Sequence, residues 1–290
     1  YDYIHLEYLR AARFIPENTK VPVIYDAVDC MTNKYKQFST VSTNFGTIRK
    51  IFNLLEWKKL TIEEPRLLKK FSRIITSSQF ESKNLINFGI NPEKIDTIDN
   101  GVDWKSYFNP KLYPKIKLGM KHTLIFTGKL DYFANECSIL HFIRSTLQKI
   151  WEYYPQVTLA IVGKNPSGKL IALSKKDSRI FLYKNVDNIA GFIHEALISI
   201  SPIIVGSGIQ NKLLEAMAMG KAIVATSLSC RGLNIHSESE LLIGNNPTNF
   251  ASAIIRFLSN EPLRKKLGKK ARKYVVNNHC WEDKTRQLIL

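Results

Sequence analysis

From Thr123 onward, short β-branched runs alternate with longer amphipathic ones. That alternation restricts the chain to a parallel sheet covered by helices on both faces. Strands are predicted at Thr123–Phe126, Thr158–Val162, Ile180–Tyr183, Leu197–Ser201, Ala222–Ala225 and Leu241–Ile243. Helices are predicted at Ser138–Tyr153, Pro166–Leu173, Ile189–Glu195, Asn211–Met219 and Asn249–Ser259. Six such strands suffice for a complete doubly wound domain. Ahead of Asn100 the same reading gives only Tyr3–Leu6, Val21–Tyr25, Arg73–Thr76 and Lys94–Ile98, with helical stretches near Tyr8–Phe14, Thr47–Lys70 and Glu81–Asn87. Four strands do not complete a domain. The chain also opens on Tyr1 with no initiator Met, close to a strand, so a truncated N-terminus is expected.

The boundary is placed in Asn100–Lys121, where Gly101, Pro110, Pro114 and Gly119 punctuate a lysine-rich stretch. This gives a first domain over 1–108, a second over 109–278 and a closing helix over 279–290. The 290 residues carry Lys+Arg 42 against Asp+Glu 25, a net +17, which calls for an anionic partner: nucleic acid, an acidic membrane or a phosphorylated small molecule. The cysteines Cys30, Cys137, Cys230 and Cys280 lie far apart, which excludes a CxxC metal or redox pair and fits a reduced, cytosolic setting. The longest apolar stretch, Ala196 to Val205, is broken by Pro202 and is too short to span a bilayer.

The densest chemistry lies in SPIIVGSGIQNKLLEAMAMGKAIVAT, residues 201–226. A strand ends at Ser201, a loop carries Gly206 and Gly208, and a helix follows from about Gln210 until Gly220 stops it. Ligands of open α/β sheets bind at this carboxyl edge. Backbone amides of Gly208–Asn211 at the helix start are expected to be unpaired and outward-facing, which suits a diphosphate, with Lys212 adding a point charge. Glu215 shares a helix face with Lys212 among apolar neighbours, where a carboxylate is costly unless something binds it; ribose hydroxyls are suitable. The same residues also admit a plain turn followed by an exposed i,i+3 ion pair.

This segment resembles the signature of the retaining nucleotide-sugar glycosyltransferases of family 4, the "group 1" class of GT-B fold. Other pieces agree in order: Asn100-Gly101-Val102-Asp103 with Phe108 and Pro110, Phe126-Thr127-Gly128-Lys129-Leu130, Ile161-Val162-Gly163, Ala225-Thr226 with Gly232-Leu233, and Trp281. Within the family, the GIQNKxLEAMAMG run is most similar to sugar transferases of bacterial exopolysaccharide clusters. The resemblance implies two Rossmann-like domains facing across a cleft, the first incomplete. It implies transfer of a sugar from a nucleotide sugar to a hydroxyl acceptor with retention. Helix N-terminal amides, Lys129 and Lys212 would offset the leaving group's charge, so no metal or cofactor is expected to be required.

Carried over by position, Glu215 matches the second Glu of the family's E-x7-E motif and would hold the donor ribose. Lys129, after Gly128, falls where the family has a basic residue on the diphosphate, and Lys212 offers a second. Val186 falls where the backbone meets the nucleobase. Gly206, Ser207, Gly208, Ile209, Gln210 and Asn211 complete the implied donor site. Two positions depart from the pattern: Ser207 stands where the first Glu belongs, and Asn135 lies near the place of a usual lysine.

The strand end Asp2–Glu7 resembles the place of a catalytic-pocket histidine. That position is Glu7, with His5 at the preceding inward position; Glu7 could stabilise charge near the anomeric carbon, or both could be structural. Asp26 and Asp29 are candidates for acceptor contacts or for capping the next helix. The basic helix Pro262–Asn278, with Arg264, Lys265, Lys266, Lys269, Lys270, Arg272 and Lys273, is either a solvated face or attracted to anionic lipid. The implied partners are a nucleotide-sugar donor, a lipid-linked or saccharide acceptor and an anionic membrane surface, with no specific nucleic acid. The expected place is the cytoplasm, peripheral to the inner face of the plasma membrane. A sugar-nucleotide epimerase of the same fold and a degenerate polyanion- or membrane-binding protein are the alternatives.

Overall fold

The computed structural model describes residues 1–16, 18–40, 47–113, 123–206 and 208–289. In the first sheet the strands β1 (Ile4–Leu6), β2 (Val23–Ala27), β3 (Arg73–Thr76) and β4 (Ile95–Thr97) lie in sequence order, every neighbouring pair parallel. The second holds β5 (Leu124–Thr127), β6 (Leu159–Gly163), β7 (Ile180–Lys184), β8 (Ile198–Ser201), β9 (Ala222–Ala225) and β10 (Leu242–Ile243) in the order β10-β9-β8-β5-β6-β7. All its pairs are parallel too. This is the doubly wound pattern, and the order reverses between β5 and β8, where a crevice opens at their carboxyl ends. β5, β6, β8 and β9 are buried along their whole length, as strands covered on both faces must be.

In the first domain the helices are α1 (Met31–Thr40), α2 (Thr47–Leu68) and α3 (Gln79–Asn87). In the second they are α4 (Phe133–Phe142), α5 (Gln148–Trp151), α6 (Gly168–Lys176), α7 (Ile189–Glu195), α8 (Asn211–Ala218), α9 (Pro247–Ser259), α10 (Glu261–Asn278) and α11 (Trp281–Ile289). A π-helical segment, Ile143–Leu147, joins α4 to α5. Several starts are set by side-chain caps: Ser78, Ser167, Asn188, Asn246 and Asn260 each accept from an amide in the first turn, and Pro247 and Pro262 occupy positions where no amide is needed.

Most strand boundaries differ from the sequence expectation by one or two residues. Two helical differences are larger. α4 begins at Phe133, five residues before the predicted Ser138, because Phe133, Ala134 and Cys137 pack with Phe38 and Val205. α1 has no predicted counterpart. Its sequence is polar, and its first amides are satisfied from a distance: Glu64 accepts from Met31 N at 2.8 Å and Thr32 N at 2.6 Å, and Glu81 accepts from Cys30 N at 2.9 Å. Burial pushes both carboxyls above their ordinary range. The predicted linker residues 114–122 lie outside the described residues.

The chain closes on itself through the Asn100–Asp103 segment. Val102 N donates to His279 O at 2.9 Å, and a Cβ at Gly101 would come 2.7 Å from the Trp281 ring. Lys284 pairs with Asp99 at 3.6 Å and Lys105 with Glu282 at 2.5 Å. α11 is thereby held against the segment that joins the two sheets.

Candidate functional site

The loops after β5 and β8 face each other at the reversal of strand order. Gly128 has φ 148°, and its amide donates to Val162 O at 3.1 Å, pressing the turn against β6. A Cβ at Gly163 would stand 1.8 Å from Gly128 O, so the turn can lie this close only because residue 163 is glycine. Asn135, in the first turn of α4, fixes the turn from the other side: its amide donates to Lys129 O at 2.8 Å.

α8 brings the second half of the site. Lys212 Nζ donates to Asn135 Oδ1 at 2.5 Å and lies 5.0 Å from the Phe126 ring centroid. The ammonium therefore sits beside the position where the family pattern has a lysine and this chain has Asn135. Burial lowers the Lys212 pKa to about 8, against the pull of Glu215. Burial raises Glu215 to about 7, opposed by Lys212. Two opposite charges are thus held incompletely compensated on one helix face, as expected of groups that meet a ligand.

Together these loops and the first domain enclose a cavity of about 540 Å³. Gly128, Lys129, Val186, Gly208, Ile209, Gln210, Asn211, Lys212 and Glu215 all line it. So do Asn135, Lys164, Asn165 and Ile189 from the second domain, and Val28, Asp29, Lys34 and Ser77 from the first. Lys129 stands at the rim, its side chain 67% exposed and 3.8 Å from Asp131. Ser207 lies outside the described residues.

Two expectations are corrected. Of the Gly208–Asn211 amides expected to be open, that of Gly208 is occupied: it donates to Glu81 Oε1 at 3.3 Å, and ahead of it Gly206 N donates to Gln37 Oε1 at 3.1 Å, both acceptors coming from the first domain. Gly206, unlike Gly208, does not line the cavity. Nor is His5 inward: it is exposed, 4.0 Å from Asp26. Glu7 is exposed and lines a second cavity of about 590 Å³ with Tyr8, Tyr25, Met31, Tyr35 and Leu60. The two cavities share Val28, Asp29 and Lys34.

Asp29, Gln37 and Glu81 come to the glycine loop from well over a hundred residues away, and Lys34 comes with them, paired to Asp29. The sequence named Asp29 only as an acceptor or capping candidate and signalled none of the other three. Among the described residues, no group of three or more His, Cys, Asp or Glu side chains is arranged to hold a metal ion.

Residues 121–260 match the family model described as Glycosyl transferases group 1. The chain is 27% identical over 272 residues to the Bacillus subtilis protein YtcC, named as a glycosyltransferase, covering 82% of this chain and 64% of that one. It is 22% identical over 233 residues to an uncharacterised 44.6 kDa Klebsiella pneumoniae protein of the cps region, covering 77% and 59%. The chain thus spans 64% or less of the length of the curated relatives described here. The crystal structure of Anabaena Alr3699/HepE in complex with UDP and glucose superposes with a TM-score of 0.71 at 14% identity, covering 100% of this chain and 77% of that one. With parallel sheets in each half and the crevice between them, the fold is that of the GT-B glycosyltransferases.

Proposed function

We propose that this chain is a glycosyltransferase that binds a nucleotide sugar between its domains and transfers the sugar, with retention, to a hydroxyl acceptor. One observation carries the reading: the cavity at the strand-order reversal combines a helix N-terminus, the cations Lys129 and Lys212, and a half-buried carboxylate, Glu215, one turn further on. A nucleoside diphosphate matches that sequence of groups. Its phosphates face the cations and the start of α8, its ribose hydroxyls donate to Glu215, and its base lies toward Val186. In the reaction, Lys129, Lys212 and the helix start offset the charge on the departing diphosphate, which is preorganised electrostatic stabilisation. Closure of the domains excludes water, which limits donor hydrolysis. No metal or cofactor has a step in this scheme.

The place of the reaction is bacterial polysaccharide or lipopolysaccharide assembly, with a saccharide or lipid-linked acceptor at the cytoplasmic face of an anionic membrane. Location of the Klebsiella relative in a cps region supports that setting. On α10, Lys265, Lys266, Lys269, Lys270 and Lys273 are exposed and able to meet such a surface. Arg264 and Arg272 are not part of that face: they donate to the carbonyls of Phe257 and Ala218. No helix among the described residues is long and apolar enough to cross a membrane.

The test is release of nucleoside diphosphate from radiolabelled nucleotide sugars, with and without a bacterial lipid and oligosaccharide extract. Extract-dependent release with label moving into the extract supports the proposal. Conversion of the nucleotide sugar to an isomer without any acceptor contradicts it.

A further inference from the structure

The glycine loop carries serine where the family pattern places an acid, yet a carboxylate stands over that loop. Asp29 Oδ1 is 3.0 Å from where a Cβ on Gly208 would be, with Ser77 Oγ and Val28 O also at that point. The side chain comes from the first domain, from the turn between β2 and α1. Its other oxygen, Oδ2, receives Lys34 Nζ at 2.8 Å, and both side chains are largely buried, 17% and 18% exposed. Lys34 in turn lies 5.3 Å from the Tyr132 ring centroid, on the second domain. The ion pair therefore bridges toward the other side of the cleft.

The bland role for an aspartate just ahead of a helix is to cap it. Here the first amides of α1 are already taken by Glu64 and Glu81. Asp29 is held instead at the wall shared by the donor cavity and the Glu7 cavity. An extended nucleotide sugar sets a direction. With its ribose at Glu215 and its diphosphate at the start of α8, the next group along must lie beyond the glycine loop, against Asp29. That group is the transferred sugar.

We infer that Asp29, oriented by Lys34, is the carboxylate that contacts the donor's sugar. It accepts hydrogen bonds from the sugar hydroxyls and so supplies, from the opposite domain, an acid that the sequence of the glycine loop lacks. The inference rests on the nucleotide-sugar reading of the cavity. It assigns sugar recognition to the first domain, and nucleotide recognition to the second. A carboxylate at the boundary of the two cavities also favours positive charge developing on the sugar as it passes between them.

The experiment separates sugar from nucleotide. Titration calorimetry compares UDP with UDP-glucose, and GDP with GDP-mannose, on the unsubstituted chain and on Asp29→Asn. For the pair that binds, the variant is expected to hold the nucleoside diphosphate within about twofold and to weaken the nucleotide sugar by about tenfold or more, the loss expected of a charged hydrogen-bond acceptor. Equal losses for both ligands, or no loss for either, overturn the inference. Asp29→Glu keeps the charge but moves it by one methylene. It is expected to fall between the two for the nucleotide sugar alone, and it carries the comparison if Asp29→Asn fails to fold. Lys34→Met is expected to follow Asp29→Asn in direction, because the carboxylate loses its orienting cation; an unchanged nucleotide-sugar affinity there removes Lys34 from the assignment. If the unsubstituted chain binds no nucleotide at all, the underlying reading fails, which is distinguishable from a failure of Asp29 alone.

Discussion

Glu215 and Lys212 are where a single residue says most about this site. Glu215 has a folded pKa near 7, above its ordinary value, so its contribution to stability is present at low pH and lost as pH rises through 7. Removing that charge should not unfold the protein. Glu215→Gln is expected to leave the thermal midpoint at pH 7.5 unchanged or higher, and to weaken nucleoside diphosphate binding about tenfold in calorimetry. Lys212 has the opposite sign: with a folded pKa near 8, below its ordinary value, its stabilising share is present at high pH and lost as pH falls through 8. A bound diphosphate favours the ammonium, so binding at pH 8 should take up about half a proton, measured as the dependence of binding heat on buffer ionisation enthalpy. Lys212→Met should abolish the uptake. These two residues were legible in the sequence because the glycine loop, cation and carboxylate lie within ten residues on one loop and helix. Gln37 and Glu81 were not, since they reach the loop only through the packing of one domain on the other. The sequence therefore predicted an open amide at Gly208 where the structure has an occupied one.

Among the elements, the turn between β5 and α4 depends on the last residue of β6. Gly163→Ala places a methyl group 1.8 Å from Gly128 O, and a backbone carbonyl cannot move aside as a flexible side chain can. The expected cost is about 3 kcal/mol or more, read as a lower denaturant midpoint, together with loss of nucleotide binding. Gly168→Ala serves as the comparison: nothing lies within 4 Å of its added carbon, and it starts α6 away from the turn. If both variants behave alike, the close approach of β6 to the Gly128 turn is not what matters. Strands of the second domain were readable because burial on both faces writes unbroken apolar runs into them. α1 was not, because its sequence is polar and its first amides are satisfied by Glu64 and Glu81, outside any sequence window.

At the scale of the whole molecule, the +17 charge and the contact between domains lead to different measurements. Surface attraction through α10 predicts co-sedimentation with vesicles containing acidic lipid at low salt, lost at high salt, since exposed charges act over a Debye length of about 8 Å at physiological ionic strength. Replacing Lys265, Lys266, Lys269 and Lys270 together should reduce pelleting without altering nucleotide affinity, because none of them lines the cavity. Equal pelleting with neutral vesicles would remove this role. The two domains meet around Phe38 and Phe133, 4.8 Å apart between ring centroids, and around Arg231, 4.5 Å from the Phe80 ring centroid. A ligand seated between them must stabilise both halves at once. The most direct measurement is thus the thermal unfolding midpoint across UDP, GDP, ADP and their sugar conjugates. A ligand at about 100 times its Kd adds about 2.7 kcal/mol to native-state stability. The account predicts that one base family raises the midpoint in a concentration-dependent way, and that Glu215→Gln blunts the rise. No rise with any nucleotide or nucleotide sugar, beside salt-sensitive binding of unrelated polyanions, would contradict it.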